Sequence, residues 1–432
     1  MLQRLFDFLS ASPVNFLATA AVCRRLDEAG YRRLDATAPL GVLLPGDKVY
    51  VTKNDSSVYA FHIGRRPVAE GGFHMICAHC DSPTFRIKPS AEMLRGGMLS
   101  LNTEVYGGPI MSTWFDRPLS LAGRVVLRGD DVLHPVTRLL HIRRPLLLIP
   151  NIAIHFNRQV NDGVKLSRQK DMLPLLSAAV DEAMARDGVL LTLISDELQV
   201  SRRDILDFDL YLYDTTPPCT FGLEQEFISA GRLDDLSMVH AGLEALLLAG
   251  EGDTVPEHTS VLAVFDNEET GSQTKQGAGS PFLRTMLERL VLAQGGTADD
   301  LYRAVEQAFM ISADNAHAWH PNYPEKYDPT NHPLLGGGPV IKLNAAQKYA
   351  SDAVSAAIFA GICEAAGVPC QYFVNHSDVA GGSTLGNILA SSLPLRGVDM
   401  GNGVLAMHSV RETASVADHL FCIKAFTKFY EL

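Results

Sequence analysis

The sequence predicts an α/β protein, with a mostly parallel sheet covered by helices on both faces and a β-rich domain inserted into it. Apolar strands and helices alternate after Gly222, a buried strand precedes residue 78, and the stretch between them is rich in short β-type runs. Strand–helix alternation is typical of parallel sheets that are covered on both faces. We expect residues 1–85 and 223–432 to form one discontinuous domain, and residues 86–222 to form the inserted domain.

The N-terminal part contains one predicted helix and one predicted strand. Ser12-Pro13 resembles an N-cap followed by the first helical residue, and the helix that it opens would end before Gly30. Gly72–Cys77 is a short, mostly apolar run, which is typical of a strand buried on both faces. We expect this strand to join the sheet formed by the C-terminal part of the chain.

The inserted segment is predicted to be largely β-structure, because turn residues separate most of its short β-type runs. The predicted strands are Met98–Tyr106, Leu119–Leu127, Leu146–Phe156, Val189–Ser195 and Ile205–Tyr213. One helix is predicted near Pro174–Arg186.

Helices and strands alternate in the C-terminal part. The predicted helices are Leu236–Ala249 and Asp352–Ala366, and each is followed by a glycine. The predicted strands are Ser260–Phe265, Phe309–Ser312, Pro339–Leu343 and Gln371–Val374. The pattern Ser409-Val-Arg-Glu412 matches a capping box, so it predicts that the last helix begins there.

Composition excludes some classes of partner. The chain has 432 residues, 47% of them hydrophobic, and a net charge of -12, which argues against nucleic acid because phosphate recognition requires basic patches. No apolar run approaches the ~18 residues of a membrane span. The first residues include Asp7 and lack the apolar segment of a signal peptide. Seven scattered cysteines, an odd number, are typical of a reducing compartment, so we expect a cytoplasmic protein.

Acidic and histidine residues follow several predicted strands. These stretches are His79-Cys-Asp81, Glu268-Glu269, Asp314-Asn-Ala-His317 and Met407-His408-Ser409, and Asp234-Asp235 lies just before a helix. Each has a structural alternative, because Asp is favoured at helix N-caps and in turns, and a histidine at a strand end can simply be hydrogen-bonded. Ligands of open α/β sheets collect at the carboxyl ends of strands, so the coincidence favours one shared site.

The pair Glu268-Glu269 can divide one hydrolytic reaction between two carboxylates. Neighbouring residues at the end of a strand point in different directions. One carboxylate can therefore bind a metal ion while the other faces the attacking water and removes its proton. The alternative is an exposed acidic pair, which is the common state of Asp and Glu. The other strand-end residues favour the hydrolytic interpretation.

Seven stretches of the chain resemble the aspartyl aminopeptidase family, and they occur in the family's order. They are AHCDSPTFRIKP, GRLDDL, FDNEETGS, ISADNAHAWHPNY, GGPVIKLNAAQKYA, GGSTLGNI and LAMHSVRE. The resemblance implies the metallo-exopeptidase type of α/β fold, two zinc ions per subunit, and removal of acidic residues (Asp or Glu) from the N-termini of peptides. It also implies that the inserted domain is a dimerisation domain and that dimers assemble into a dodecamer.

Matched position by position, the resemblance assigns metal ligands and a general base. His79, Asp234 and Asp314 would hold one ion, and Asp234, Glu269 and His408 would hold the other. Glu268 would be the general base, and Asp81 would orient the His79 imidazole. Each ion then has three protein ligands and a position for water, as catalytic zinc sites require. Cobalt or manganese would suit similar ligands.

The resemblance also implies substrate contacts at His317, Lys342 and Tyr349, and it places His155 in the site of a neighbouring subunit. Lys342 lies in an otherwise apolar predicted strand, so the alternative is an edge lysine whose ammonium reaches solvent. As a site residue, Lys342 would supply the local positive charge that an acidic substrate needs in a protein of net charge -12.

Four positions depart from the family pattern. Cys80 stands where Thr is expected, Asp235 where Asn is expected, Thr270 where Val is expected, and His376 where Arg is commoner. None of these departures removes a predicted ligand or the predicted base. Asp235 and His376 change the local charge, so the sequence leaves metal preference and substrate rank order open. A broader-specificity dinuclear aminopeptidase, or a related amide hydrolase of the same fold, is the alternative function.

Overall fold

The computed structural model describes residues 1–178, 181, 188–252 and 254–432. The helices are α1 (Leu2–Ala11), α2 (Asn15–Glu28), α3 (Val68–Gly71), α4 (Val189–Leu198), α5 (Leu233–Ala249), α6 (Phe282–Ala293), α7 (Ala298–Gln307), α8 (Ala353–Ala365), α9 (Leu385–Ser392) and α10 (Val416–Glu431). The strands are β1 (Arg32–Arg33), β2 (Lys48–Lys53), β3 (Ser57–His62), β4 (Phe73–His79), β5 (Thr84–Arg95), β6 (Met98–Tyr106), β7 (Leu119–Leu127), β8 (Val136–His141), β9 (Leu175–Ser177), β10 (Ile205–Asp214), β11 (Cys219–Phe221), β12 (Phe227–Ala230), β13 (Thr259–Phe265), β14 (Phe309–Ala313), β15 (Ala316–His317), β16 (Val340–Leu343), β17 (Gln371–Val374), β18 (Arg396–Gly401), β19 (Gly403–Leu405) and β20 (Glu412–Ser415). Short 3-10 turns are Met111–Trp114, Ile154–Phe156, Val160–Asp162, Arg202–Asp204, Glu268–Thr270 and Pro324–Lys326.

The chain divides into two compact units. The first unit comprises Met1–Asp81, Pro218–Met407 and Glu412–Leu432, and the second comprises Ser82–Pro217 and His408–Arg411. The sheets and the apolar clusters of the first unit are separate from those of the second.

A nine-stranded sheet forms the centre of the first unit, in the order β1-β2-β3-β13-β4-β14-β18-β16-β17. The inner strands β13, β4, β14 and β18 are mutually parallel, whereas β3 and β16 run antiparallel to their inner neighbours. Strand β4 pairs with β13 from Phe73↔Thr259 to His79↔Phe265. The carboxyl ends of the inner strands therefore meet at one edge of the sheet.

Helices cover both faces of this sheet, which confirms the predicted fold class. Ile76 and Ala78 of β4 lie in the apolar cluster that contains α1, α2, α5, α8 and α10. Met75 and Cys77, which point to the other face, lie in the cluster that contains α6, α7 and α9. Because both faces are covered, β4 and β13 are mostly apolar along their length instead of alternating with polar residues.

The first unit also contains a five-stranded sheet, in the order β11-β12-β20-β19-β15. Strand β15 ends at His317, and β20 begins at Glu412.

The second unit is built on a six-stranded antiparallel sheet, in the order β8-β7-β10-β5-β6-β9. Its core includes Phe85, Trp114 and Leu210, and the Phe85 and Trp114 rings meet edge to face at 5.1 Å. Leu190 and Ile194 of α4 pack into the same core.

The predicted strands at Met98–Tyr106, Leu119–Leu127 and Gln371–Val374 match the observed strands end to end. The predictions for Ser260–Phe265 and Ile205–Tyr213 each differ from the structure by one residue.

Two predictions in the 146–195 region are wrong. Val189–Ser195 lies in the helix α4 instead of a strand, because Leu190 and Ile194 are four residues apart and share one buried helical face. Leu146–Phe156 forms only isolated bridges around Leu147 and a 3-10 turn. A helix is predicted near Pro174–Arg186, but Leu175–Ser177 in this stretch form strand β9. Residues 179–180 and 182–187 of the predicted helix lie outside the described residues.

Two predicted helix starts are also wrong. Ser12-Pro13 lies between two helices, and the second begins at Asn15. The last helix begins at Val416, where Ser415 Oγ accepts a hydrogen bond from Ala417 N at 3.2 Å. The Ser409–Glu412 pattern is therefore not a capping box.

Among the described residues, no helix has the length and apolarity needed to cross a membrane. The cysteines are free thiols, and Cys77 and Cys80 are both buried.

Candidate metal centre

His79 is the last residue of β4 and is buried at the carboxyl edge of the sheet. Its Nδ1 lies 3.1 Å from the Asp81 carbonyl oxygen. A carbonyl oxygen can only accept, so this contact places a ring hydrogen on Nδ1. In the neutral imidazole the lone pair is then on Nε2, which lies 3.7 Å from Asp234 Oδ1. Nε2 is therefore the ring atom available to bind a metal ion.

Asp81 connects His79 to the glutamate pair. Its Oδ1 accepts a hydrogen bond from Glu268 N at 3.1 Å, and its Oδ2 accepts one from Glu269 N at 3.1 Å. Its Oδ1 also lies 3.4 Å from His79 Nδ1. The buried Asp81 carboxylate thus fixes the backbone of the turn that carries both glutamates and contacts the imidazole.

Asp234 and Asp235 lie at the start of α5 and are joined by a cis peptide bond. Asp234 N donates to Glu412 Oε2 at 3.0 Å, and His79 N donates to Asp235 Oδ2 at 3.1 Å. Asp235 Oδ1 is buried and accepts no hydrogen bond from any described residue. Burial of this oxygen without a hydrogen-bond donor lowers the stability of the fold unless a bound cation or a proton compensates for it.

Asp314 follows β14 and is paired with Lys342 of β16. Lys342 Nζ lies 3.3 Å from Asp314 Oδ2 and donates to the carbonyl oxygens of Asp314 at 2.7 Å and Asn315 at 3.3 Å. Burial lowers the pKa of Lys342, but the surrounding acidic groups, Asp314 foremost, together outweigh burial and the net shift is upward. Lys342 is therefore a buried positive charge beside the acidic cluster, and the alternative of an edge lysine reaching solvent is wrong.

The cluster fits a divalent cation. One ligand atom from each of His79, Asp234, Asp235 and Asp314 lies within 4.8 Å of the others, and His79, Glu268 and Glu269 form a second group on the same criterion. Burial raises the pKa of Asp235 and also that of Asp314. The negative charge of neighbouring carboxylates adds to the effect of burial in both cases, so a cation among them would favour their ionised forms.

The proton affinities of His79 and Glu268 are also shifted upward. Burial lowers the pKa of His79, but nearby carboxylates, Asp235 foremost, outweigh it and raise it. Burial raises the pKa of Glu268 to about 8, an effect that His79 opposes and Asp314 reinforces. A metal ion would compete with the protons that this acidic pocket favours.

The remaining predicted residues fall into two groups. In the first unit, Tyr349 is buried with the Lys342 ammonium 5.4 Å from its ring centroid, and His317 is exposed with its ring 5.9 Å from that of Phe373. In the second unit, His408 Nδ1 lies 3.1 Å from Gly108 O, and His155 is exposed in a 3-10 turn. The roles assigned to these residues stay predictions.

Sequence reasoning missed Glu412. Its carboxylate accepts the hydrogen bond from Asp234 N and so positions a predicted ligand. The sequence pattern predicts a capping-box role for Glu412, although Glu412 lies four residues after His408 in the stretch LAMHSVRE, which resembles the family. The place of Glu412 in this family-like stretch, close to a predicted metal ligand, is the sequence signal that could have identified it.

Comparison with known proteins identifies the family. The model of the M18 peptidase family, described as aminopeptidase I zinc metalloprotease, matches residues 8–430. The probable M18 family aminopeptidase 2 of Clostridium acetobutylicum is 49% identical over 431 residues, which is 100% of this chain and 98% of that protein. The protein of the same name from Clostridium novyi is 48% identical with the same coverage.

Solved structures agree with these sequence matches. A chain of the cryo-EM structure of the Ape4 and Nbr1 complex superposes with a TM-score of 0.95 at 34% identity, covering 99% of this chain and 85% of that one. The S. cerevisiae mApe1 dodecamer gives a TM-score of 0.85 at 25% identity, covering 99% and 96%. The buried His and Asp cluster lies in a chain matched along almost its whole length, and the chain belongs to the M18 family of zinc-dependent aminopeptidases.

Proposed function

We propose that this aminopeptidase removes N-terminal Asp or Glu from peptides, using two divalent metal ions and Glu268 as general base. The observation that carries the proposal is the buried acidic cluster around His79, with the Lys342 ammonium 3.3 Å from Asp314 Oδ2. The cluster supplies cation ligands, and Lys342 supplies positive charge beside them.

His79, Asp234 and Asp314 would hold one ion, and Asp234 and Glu269, with His408 as predicted from the family resemblance, would hold the other. When bound, the ions would polarise the scissile carbonyl and make water more acidic. Carboxylate and imidazole ligands suit zinc, and cobalt or manganese can replace it in such sites.

Glu268 would take the proton from the attacking water and pass it to the leaving amine. The turn that carries Glu268 is fixed by the Asp81 carboxylate, so the position of the base does not depend on its own side chain. Burial raises the pKa of Glu268 to about 8, which gives its carboxylate a high proton affinity. A nearby cation favours the ionised form, so Glu268 would be available as a base at neutral pH.

Specificity for acidic residues would depend on Lys342. An ammonium group has three hydrogens, and those of Lys342 already face Asp314 and the Asn315 carbonyl oxygen. To reach a substrate carboxylate directly, Lys342 would have to exchange one of these contacts. Tyr349, beside the ammonium, and the exposed His317 would complete the substrate contacts.

We propose a cytoplasmic homo-oligomer built from dimers that form through residues 86–222. The exposed His155 turn would contribute to a neighbouring subunit's site. A dodecamer is the state named for the S. cerevisiae relative, and sedimentation of the purified protein tests whether this chain forms one.

A panel of aminoacyl substrates tests the specificity. With zinc restored, kcat/KM for aspartyl and glutamyl substrates should exceed that for leucyl and lysyl substrates by about tenfold or more, equivalent to ~1.4 kcal/mol of differential binding. Faster leucyl or lysyl turnover would instead support the broader-specificity aminopeptidase. In Lys342→Met the aspartyl-to-leucyl ratio should fall, and this ratio is the readout because Lys342 also contacts Asp314.

A further inference from the structure

Asp399 is a fully buried carboxylate outside the predicted catalytic set. It lies in β18, where it pairs with Ser312 of the parallel neighbour β14. Asp314 follows β14, two residues after Ser312, and Asp314 N donates to Met400 O. Asp399 therefore lies directly beneath the acidic edge of the sheet without belonging to it.

One side of Asp399 holds the segment that carries Tyr349. Ala350 N donates to Asp399 Oδ2 at 2.6 Å. Ser351 Oγ accepts from Asp399 N at 2.8 Å and lies 3.3 Å from Asp399 O, to which it donates. The residues immediately after Tyr349 are thus tied to β18 through both the side chain and the main chain of Asp399.

The other side of Asp399 holds the start of α9. Thr384, the N-cap residue of that helix, donates its hydroxyl to Asp399 Oδ1 at 2.6 Å. A Cβ atom at Gly386 would lie 2.5 Å from Asp399 Oδ2, so only a residue without a side chain permits this approach. One carboxylate therefore joins two separate segments of chain to the same strand.

The donors to Asp399 are neutral, namely a hydroxyl and a main-chain amide. A carboxylate can accept on both oxygens at once, whereas alanine can accept on neither. Asparagine can still accept from Ala350 N and can donate to the Thr384 hydroxyl, whose own hydrogen can rotate away. Asp399→Asn is therefore a conservative replacement, and Asp399→Ala removes both connections.

We infer that Asp399 is a positioning residue for substrate binding, because it ties the segment that follows the predicted substrate contact Tyr349 to β18 and to the start of α9. This inference rests on the proposed function only in taking Tyr349 as a substrate contact. Its effect should be on KM, since Asp399 contacts neither the predicted metal ligands nor Glu268 by any hydrogen bond described above.

Kinetics of the zinc-loaded full-length protein test the inference, with whichever aminoacyl substrate the wild type hydrolyses best. Asp399→Ala should raise KM about tenfold, leave kcat within about threefold and leave zinc content unchanged. Asp399→Asn should recover most of the wild-type KM. Hydrogen exchange should be faster at the Ala350 amide in Asp399→Ala, which is a readout that does not depend on turnover.

Asp418 provides a matched control. It is also fully buried and its carboxylate accepts two main-chain hydrogen bonds, from Gly336 N at 2.8 Å and Gly338 N at 2.7 Å, but that loop carries no predicted site residue. Asp418→Ala should lower the melting temperature while leaving KM within about twofold.

A wild-type KM in Asp399→Ala, or an equal rise in KM for both alanine variants, would overturn the inference. If Asp399→Ala does not fold, Thr384→Val and Ser351→Ala each remove one connection and should each raise KM; an unchanged KM in both would be equally decisive. A wild type that prefers leucyl substrates would refute the proposed specificity, yet the KM of these variants would still test Asp399.

Discussion

Two of the buried polar clusters in the first unit differ in composition, and one of these two has the composition of a reaction centre. At the carboxyl edge of the sheet, carboxylates crowd around His79, with Lys342 contacting one of them. The second cluster, called here the histidine–glutamate cluster, consists of His240, Glu244 and His419.

In the histidine–glutamate cluster the buried charge is balanced by the chain itself. Glu244 lies 3.0 Å from Arg4 Nη1 and 2.6 Å from Arg25 Nη2, and His240 Nδ1 lies 3.0 Å from His419 Nε2. The metal centre has more buried carboxylates than cationic partners. Burial of ionisable groups is common to both clusters, so an unbalanced charge, rather than burial, distinguishes the site that requires an ion.

The sharpest test of this difference is Asp234→Asn. Because Asp234 is the proposed shared ligand, the variant should lose zinc and fall to background activity, whereas Asp418→Asn should keep its zinc. Metal analysis of the purified proteins is the measurement. Full zinc occupancy in Asp234→Asn would remove Asp234 from the ligand set.

Glu268→Gln should separate chemistry from metal binding within the metal centre. Loss of a general base lowers kcat about 10²- to 10⁴-fold, and zinc content should stay at the wild-type level. Its neighbour provides the comparison, because Glu269→Gln should lose zinc as well as activity. Substantial kcat in Glu268→Gln, measured at saturating substrate, would refute its role as base.

Glu244→Gln should lower the stability of the fold and leave catalysis unchanged. Removing the carboxylate leaves Arg4 and Arg25 without their shared partner, and because both arginines are partly exposed we expect a loss of about 1–3 kcal/mol in the free energy of unfolding. Activity per bound zinc should be unchanged. A fall in kcat per zinc would mean that the histidine–glutamate cluster contributes to catalysis after all.

The smallest expected effect is on acid stability. Burial, with Arg25 adding to it, lowers the pKa of His240 to about 3, and burial also lowers the pKa of His419. Above the unfolded histidine pKa of ~6.5 both states are neutral; below it the unfolded chain binds protons that the folded chain excludes. Each histidine should therefore reduce stability by ~1.4 kcal/mol per pH unit as the pH falls.

Asn in place of His240 cannot take up that proton in the unfolded chain. In His240→Asn the free energy of unfolding should therefore fall less steeply as the pH decreases, by the slope that corresponds to about one proton. Urea unfolding at pH 7, 6 and 5 measures the slope. Equal slopes in the variant and the wild type would show that His240 does not resist protonation in the fold.

The strands were predictable because burial on both faces leaves a simple apolar run. Thr259–Phe265, which is buried at every position, shows this pattern clearly. Val189–Ser195 did not have a unique interpretation, since a short apolar run fits a buried strand or the buried face of a helix equally well. Only the core of the second unit, which receives Leu190 and Ile194, decides between them.

The strand-end acids of the first unit were predictable as a group because parallel strands end at a common edge. Their hydrogen bonds were not. The hydrogen bonds that Asp81 accepts from Glu268 N and Glu269 N, and that Glu412 accepts from Asp234 N, join residues about 180 positions apart. No local pattern records such pairs, and in the case of Glu412 a misleading local pattern predicted a helix cap instead.

The attachment of Asp81 to the main chain at Glu268 and Glu269 has a practical consequence for protein engineering. Because the Asp81 carboxylate accepts hydrogen bonds from the backbone amides, either glutamate side chain can be replaced while the backbone of the turn keeps these bonds. Residue 268 can therefore be replaced by acidic side chains of different pKa or length. Differences in rate among such variants would report the chemistry of the inserted group rather than a rebuilt loop.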